Sequence, residues 1–412
     1  MSILRIFRKK EFFNSSLMSF TNFLVGGLNF IFHILMQRML GPEKYGVIYP
    51  LIILSLFITL IPNTFQFFIT RELSILVHKD KENEALNYIK NAFKWLFILS
   101  ILLLIIYLIF LPLLKTFLKI EKTEDFIYLI IMTLFPFFIC VFIAYLQARE
   151  NFIYLSIIQI FPTLLKLITG FVIVYITNNY LGTIFAFIAG NIFTILLLLF
   201  EFFHKKKKIK IENQKFETKK FFTSFVHSFP AISGFTILSN IDSIIVRSKL
   251  PELSGIYSSV SVIGKASFYI ALSISTVFLP VLSKSEDMKK ANRLALLFLT
   301  IFLCGFIGLV FIFSPFISSY ILKGQYSGFE KLLPYYSIVY IPFAYITYLV
   351  NYYVISKKKI YDISIFIAII IQIVGISLFS KDLQSVANLV GLSGLFVLIV
   401  LKFENFIEIK FR

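Results

Sequence analysis

The sequence predicts an all-α polytopic membrane protein, with about twelve transmembrane helices arranged as two pseudo-symmetric six-helix bundles. Three observations carry that expectation. Hydrophobic residues make up 58% of the 412-residue chain and charged ones only 15%, with a mean hydropathy of +0.87, far more apolar than a water-soluble chain of this length. Apolar runs long enough to cross roughly 30 Å of hydrocarbon, about 20 residues at 1.5 Å each, recur from end to end. Finally, the skeleton of Arg38-Met39-Leu40-Gly41-Pro42-Glu43-Lys44-Tyr45-Gly46 returns at Arg247-Ser248-Lys249-Leu250-Pro251-Glu252-Leu253-Ser254-Gly255, with Arg, Pro, Glu and Gly in register at an offset of 209. Each copy separates two long apolar runs, and each is followed by a tyrosine, Tyr49 and Tyr257. A matched hairpin in two halves is the mark of an internal duplication.

The spans follow in order. Span 1 (13–37) has no signal-peptide cleavage pattern before it and is read as retained. It carries Ser19, Asn22, Gly26, Asn29, His33 and Gln37 at separations of three or four, one face of a helix. Span 2 (46–69) repeats that spacing with Ser55, Thr59, Asn63, Gln66 and Thr70, and ends at Arg71-Glu72. Span 3 (92–114) is nearly apolar all round, and span 4 (126–147) ends at Gln147 and Arg149. Span 5 (152–177) lines up Ser156, Gln159, Thr163, Lys166 and Gly170. Span 6 (182–203) runs into the basic stretch from Lys205 to Lys220, which divides the chain into halves of six spans, 1–209 and 210–412. Span 7 (221–246) holds Ser239 and Asp242, and the unusually long span 8 (253–281) holds Ser254, Ser258, Ser261, Lys265 and Tyr269. Spans 9 to 12 cover 293–321, 331–355, 361–380 and 384–402. Prolines such as Pro62, Pro136, Pro162 and Pro230 lie within spans, where each removes an intrahelical hydrogen bond and kinks the helix.

Charge placement sets partners and orientation. The net charge of +18 borders the spans instead of forming a basic domain, which excludes nucleic acid as a partner and leaves anionic lipid headgroups. With the N-terminus inside, 28 of the 40 Lys and Arg fall on the cytoplasmic side and ten on the other. The expectation is therefore a multi-pass protein of the cytoplasmic (inner) membrane with both termini cytoplasmic and both Pro-Glu-x-x-Gly hairpins facing outward.

Ionisable residues at depth are the sharper signal. Lys166 and Lys265 lie near the middle of their spans, where a charge costs about 2.5–3.5 kcal/mol even on insertion scales, so both must face protein or water. Asp242 is the carboxylate placed clearly inside a span, and the offset of 209 pairs it with His33. Lys265 either forms an ion pair with Asp242, one helix away, or meets a cargo. Small hydroxyl residues on these faces suit helix–helix contacts; whole faces of Asn, Gln, His and Lys suit a water-filled cavity. Cys140 and Cys304 have no CxxC or Cys/His spacing and are read as apolar fillers. No Gly-rich phosphate loop, metal-ligand cluster or carboxylate pair appears, so the reading is a transporter, not an enzyme, with no cofactor, no metal and no catalytic residue.

These residues carry a resemblance. Arg38 to Gly46, Ser239-Asn240-Ile241-Asp242 ahead of Leu250-Pro251-Glu252 and Gly255-Ile256-Tyr257, Arg71-Glu72, and Leu146-Gln147-Ala148-Arg149 make the chain similar, from end to end, to the polysaccharide-biosynthesis transporters of the Wzx type, the lipid-linked oligosaccharide flippases of the MOP (MATE-like) superfamily. The resemblance implies a V-shaped pair of six-helix bundles around a cavity lined by helices 1, 2, 7 and 8. It also implies translocation of a polyprenyl-pyrophosphate-linked oligosaccharide or polysaccharide repeat unit by alternating access, for lipopolysaccharide, O-antigen or capsule. The partners are then that lipid-linked glycan, membrane lipids and other polysaccharide assembly proteins. Within this expectation Lys166 and Lys265, with Arg38 or Arg247 at the outer rim, compensate the diphosphate, while Asn22, Asn29, His33 and Gln66 contact sugar hydroxyls. Competing functions are a lipid II-type peptidoglycan precursor flippase, a cation-coupled multidrug exporter of the same superfamily, and a membrane scaffold of a polysaccharide assembly complex with no transport of its own.

Overall fold

The computed structural model describes residues 9–204, 217–282, 288–356 and 359–410, and every regular element among them is helical. Residues 205–216, most of the basic stretch, and the N-terminal Arg5 and Arg8 lie outside the described residues. The helices are α1 (Lys9–His78), α2 (Glu82–Leu118), α3 (Thr123–Ala148), α4 (Phe152–Thr177), α5 (Leu181–His204), α6 (Thr218–Leu238), α7 (Ile241–Lys249), α8 (Ser254–Gly264), α9 (Ser267–Leu282), α10 (Met288–Phe316), α11 (Phe329–Val339), α12 (Ile341–Ser356), α13 (Lys359–Phe379) and α14 (Leu383–Lys410). A 3-10 turn, Pro251–Leu253, precedes α8, and a π turn, Ile317–Ile321, follows α10. Eleven helical stretches among the described residues are long and apolar enough to cross a membrane, and the first of them, Ser16–His78, is two spans in one. All twelve expected spans are therefore present.

The first repeated segment is the tight hairpin the sequence suggested, with no residues to spare: the two helical arms of α1 meet at Gly41 (φ 67, ψ 177), His33 on the first arm reaches the Tyr45 hydroxyl on the second (3.1 Å), and Pro42 starts the second arm where its fixed φ and missing N–H cost nothing. In the second copy Leu250 stands where the first has Gly41, with φ −125 and ψ 62. A side chain at that position disfavours the positive φ, so α7 stops and the chain passes through the 3-10 turn instead.

Three expected spans are also interrupted. Span 7 is α6 and α7, separated at Ser239 and Asn240; span 8 is α8 and α9, separated at Lys265 and Ala266; span 10 is α11 and α12, separated at Tyr340. Each break has a local cause or compensation. The Asn240 side-chain amide donates to the Thr236 carbonyl (2.9 Å) and the Ser267 hydroxyl to that of Gly264 (2.9 Å), satisfying acceptors the helix has released. At Tyr340, Pro342 supplies no N–H to continue the ladder.

The chain divides into two compact units, one of residues up to Phe32 and Leu54–Phe229, the other of His33–Ile53 and Pro230 onward. Where the sequence suggested halves meeting at 209, the units part at Phe229 and Pro230, and the middle of α1 belongs to the second. In the first unit α4 packs on α5, and α3 on α2 and α5. Its core holds Phe65, Ile69, Leu73, Ala92, Phe137, Val141, Ala144 and Phe221. Phe65 stacks between Phe221 (4.7 Å) and Phe225 (4.4 Å), with Phe222 edge-on at 5.9 Å, so the start of α6 is fastened to the second arm of α1. Helix α2, apolar all round in sequence, leaves Leu102, Ile109 and Leu113 exposed, as a lipid-facing helix does. In the second unit α8 packs on α11, α9 on α10 and α12, and α7 on α13. Ala271, Ala295, Leu299, Ala344 and Tyr348 form an apolar cluster on α9, α10 and α12.

Candidate functional site

The polar residues that span 5 lines up bring one charge into the first unit. Lys166 on α4 is 7% exposed, and its ammonium donates to Asn29 Oδ1 on α1. The same ammonium lies 4.8 Å from the Phe32 ring centroid and 4.3 Å from that of Phe187 on α5. Its surroundings are thus one amide oxygen and two ring faces, each of which attracts a cation without neutralising it. Among the described residues no carboxylate forms an ion pair with Lys166. Asn22, two turns before Asn29 on α1, is exposed.

Gln66 has a different setting in the same unit. Its amide donates to Gln147 Oε1 (3.3 Å), which also accepts from the Thr70 hydroxyl (2.8 Å), so one glutamine ties α3 to two turns of α1. Next to Gln147, Arg149 pairs with Glu82 and sits 4.9 Å over the Tyr145 ring. Asp125, which the sequence placed just outside span 4, is fully buried in the first turn of α3 and accepts from the Tyr180 hydroxyl (2.9 Å).

In the second unit Lys265 is paired with Asp242. Its ammonium is 3.5 Å from Asp242 Oδ1 and donates to Asn240 Oδ1 (3.2 Å), 5.4 Å from the Tyr340 ring centroid. Asp242 is fully buried. Its Oδ1 also accepts the Ser243 backbone N–H (2.8 Å), and its Oδ2 accepts the hydroxyls of Tyr257 and Tyr340, the latter at 3.1 Å. Ser261 meets the Tyr340 hydroxyl at 2.9 Å. The charge of this pair is balanced within the unit.

The remaining candidates separate. His33 Nδ1 is 3.1 Å from the Tyr45 hydroxyl, and its ring stands edge-on to Tyr49 at 5.8 Å. His33 and Asp242 thus share a feature beyond their offset of 209, because each meets a tyrosine hydroxyl, Tyr45 within the first repeated segment and Tyr257 just past the second. Arg247 is buried and donates to the Pro251 carbonyl (3.3 Å), bracing its own turn, whereas Arg38 is exposed. Gln37 accepts from Ser259 (2.7 Å), Ser254 donates to the Gly46 carbonyl (2.8 Å), and Tyr326 donates to the Gln37 carbonyl (2.9 Å). Most of the span 8 stripe is therefore engaged in contacts within the unit. The structure brings together Lys166 with Asn29, and Lys265 with Asp242; it does not place His33, Gln66, Arg38 or Arg247 in either group.

Sequence reasoning passed over Tyr257, Tyr340 and Asn240 as members of the Asp242 centre. Tyrosine counts as apolar in a hydropathy scan, so its hydroxyl gave no signal there. Pro342 and the Ser-Asn pair at 239–240 are the signals that could have placed two of the three at helix breaks.

A multi-pass helical protein with interrupted spans and buried charges at the interruptions has the build of a membrane transporter. The comparisons with known proteins are more specific. The profile of the polysaccharide biosynthesis protein family matches residues 13–286, and the chain belongs to that family. Comparison with curated protein sequences gives no match. Among solved structures, the fold is similar to an inward-facing MATE multidrug-resistance transporter of the MOP superfamily, at 12% identity and a TM-score of 0.75, covering 92% of this chain and 93% of the other. It is similar to the lipid II flippase MurJ in an inward closed conformation, at 18% identity and a TM-score of 0.75, covering 94% and 87%. It is also similar to the MATE multidrug transporter DinF-BH, at 15% identity and a TM-score of 0.62, covering 96% of each chain. The chain shares its fold with these transporters.

Proposed function

We propose that this protein is a flippase that moves a polyprenyl-diphosphate-linked oligosaccharide across the cytoplasmic membrane by alternating access, with both termini on the cytoplasmic side. The observation that carries this reading is Lys166. A buried ammonium held by Asn29, Phe32 and Phe187 is attracted without being neutralised, and a diphosphate headgroup is a ligand whose charge would complement it. Membership of the polysaccharide biosynthesis family supports a glycan as the rest of the cargo. In this scheme Lys166 attracts the headgroup while Asn22 and Asn29 offer hydrogen bonds to sugar hydroxyls, Gln66 holds Gln147, and Lys265 is occupied by Asp242. Membrane lipids and polysaccharide assembly proteins are the remaining partners.

A lipid II-type precursor presents the same diphosphate, and the MurJ-like fold keeps it as the alternative cargo. Cells carrying Lys166→Met, at wild-type abundance in the membrane, should lose surface glycan. Unchanged surface glycan would remove Lys166 from the mechanism. Loss of cell-wall synthesis with glycan intact would move the assignment to the peptidoglycan precursor, and a drug-export phenotype alone would favour the multidrug reading.

A further inference from the structure

Three helix breaks of the second unit meet one another. Lys265, at the break between α8 and α9, donates to Asn240 at the break between α6 and α7, and pairs with Asp242 two residues further on. Tyr340, which is the break between α11 and α12, donates to the same carboxylate. Gly264, next to Lys265, lies so close to Tyr340 that a Cβ there would come within 2.7 Å of the ring. The charges also match the ends of the helices that carry them. Asp242 sits in the first turn of α7, where the macrodipole is positive, and Lys265 caps the C-terminus of α8, where it is negative. Beyond these points α8 packs against α7 and α11, and α9 against α12 and α10, while α10 also packs against α11 and α14 against α7, α11 and α12.

We infer that the Asp242–Lys265 pair is the joint of the second unit: it fastens the three helix interruptions, between α6 and α7, α8 and α9, and α11 and α12, to one another at a fixed point. Lys265 is then a positioning residue and not a ligand for cargo. The geometry gives the pair this task because its partners are the break residues themselves. Five groups converge on the carboxylate: the Lys265 ammonium, the Tyr257 and Tyr340 hydroxyls, and the Ser243 backbone N–H and hydroxyl. Removing either charge leaves the other buried and uncompensated, while removing both leaves hydrogen bonds that Asn and the tyrosines still make.

The test is a set of four variants of the full-length protein in lipid nanodiscs, Asp242→Asn, Lys265→Met, the two combined, and the exchanged pair Asp242→Lys with Lys265→Asp. Unfolding temperature and amide hydrogen exchange are read on each. Each single change should lower the unfolding temperature and accelerate exchange on the order of 100-fold at 239–243, 264–267 and 339–344 together, because one joint serves all three. The combined neutral variant should recover most of both. The exchanged pair should not recover, since it sets an ammonium at the N-terminus of α7 and a carboxylate at the C-terminus of α8. Acceleration confined to 239–243, a neutral pair no better than the single changes, or full recovery in the exchanged pair would each overturn the inference. Should a single variant fail to fold, the neutral and exchanged pairs still decide. These readouts do not depend on the identity of the cargo. Glycan export adds a separate one, for if Lys265 contacts cargo the neutral pair will fold and yet not export.

Discussion

The two copies of the repeated segment approach each other backbone to backbone within the second unit, and Gly255→Ala probes that approach directly. A Cβ at Gly255 would run into the Pro42 carbonyl and stand 2.8 Å from Pro42 Cα, where ordinary contacts are 3.4–4 Å. The obstacle is backbone, so no rotamer relieves it and α8 must move away from α1. That movement lengthens the Ser254 to Gly46 hydrogen bond at 2.8 Å and the Ser259 to Gln37 bond at 2.7 Å. Overpacking of this kind costs about 1–3 kcal/mol, against a gain of about 0.5–1 kcal/mol for alanine over glycine in a helix. The net is a loss of up to about 2.5 kcal/mol, a fall of up to roughly 3 °C in unfolding temperature for a chain of 412 residues. Gly305 and Gly308 on α10 have open space where a Cβ would stand, so alanine there should leave the unfolding temperature unchanged or raise it slightly. Differential scanning fluorimetry of the three variants in one detergent checks the ranking. Equal behaviour of Gly255→Ala and Gly308→Ala would refute the close approach of the two copies.

Other outcomes follow from the same physical terms. Lys166→Met should change stability by less than about 2 kcal/mol, because the lost hydrogen bond and ring contacts are offset by the removed cost of a buried charge; thermal unfolding measures this, and a larger loss would make Lys166 a structural residue. Phe65→Ala empties the stack with Phe221 and Phe225 and should cost about 3–5 kcal/mol, seen as a lower unfolding temperature and less protein in the membrane. Arg149→Ala removes an ion pair with Glu82 whose side chains are 28% and 42% exposed, and should cost no more than about 1 kcal/mol in the same measurement.

The spans were legible because hydrophobic run length is a direct readout of membrane thickness, and the offset of 209 located the two repeated segments before any coordinates. The structure adds that the segments touch, which no single-sequence pattern encodes. The interruptions in spans 7, 8 and 10 were hidden for a physical reason. A single Asn240, Lys265 or Tyr340 lowers the hydropathy of its window too little to interrupt an apolar run, and acceptors released at the breaks are met by side chains such as Asn240 and Ser267. The placement of Lys166 and Lys265 at depth was readable; their different settings were not. Asn29 lies 137 positions from Lys166, and Asp242 lies 23 from Lys265 with a helix end between them, so only the packing distinguishes a charge held by neutral groups from one that is paired.

The flippase account rests on whether the protein moves a diphosphate-linked glycan and whether the Lys166 charge is needed for it. The direct measurement is the rate at which a fluorescent polyprenyl-diphosphate oligosaccharide crosses the bilayer of proteoliposomes holding either wild-type protein or Lys166→Met. The account predicts rapid crossing with the wild type and, with the variant, the slow rate of protein-free liposomes. Wild-type vesicles no faster than empty ones, or a variant as fast as the wild type, would contradict it.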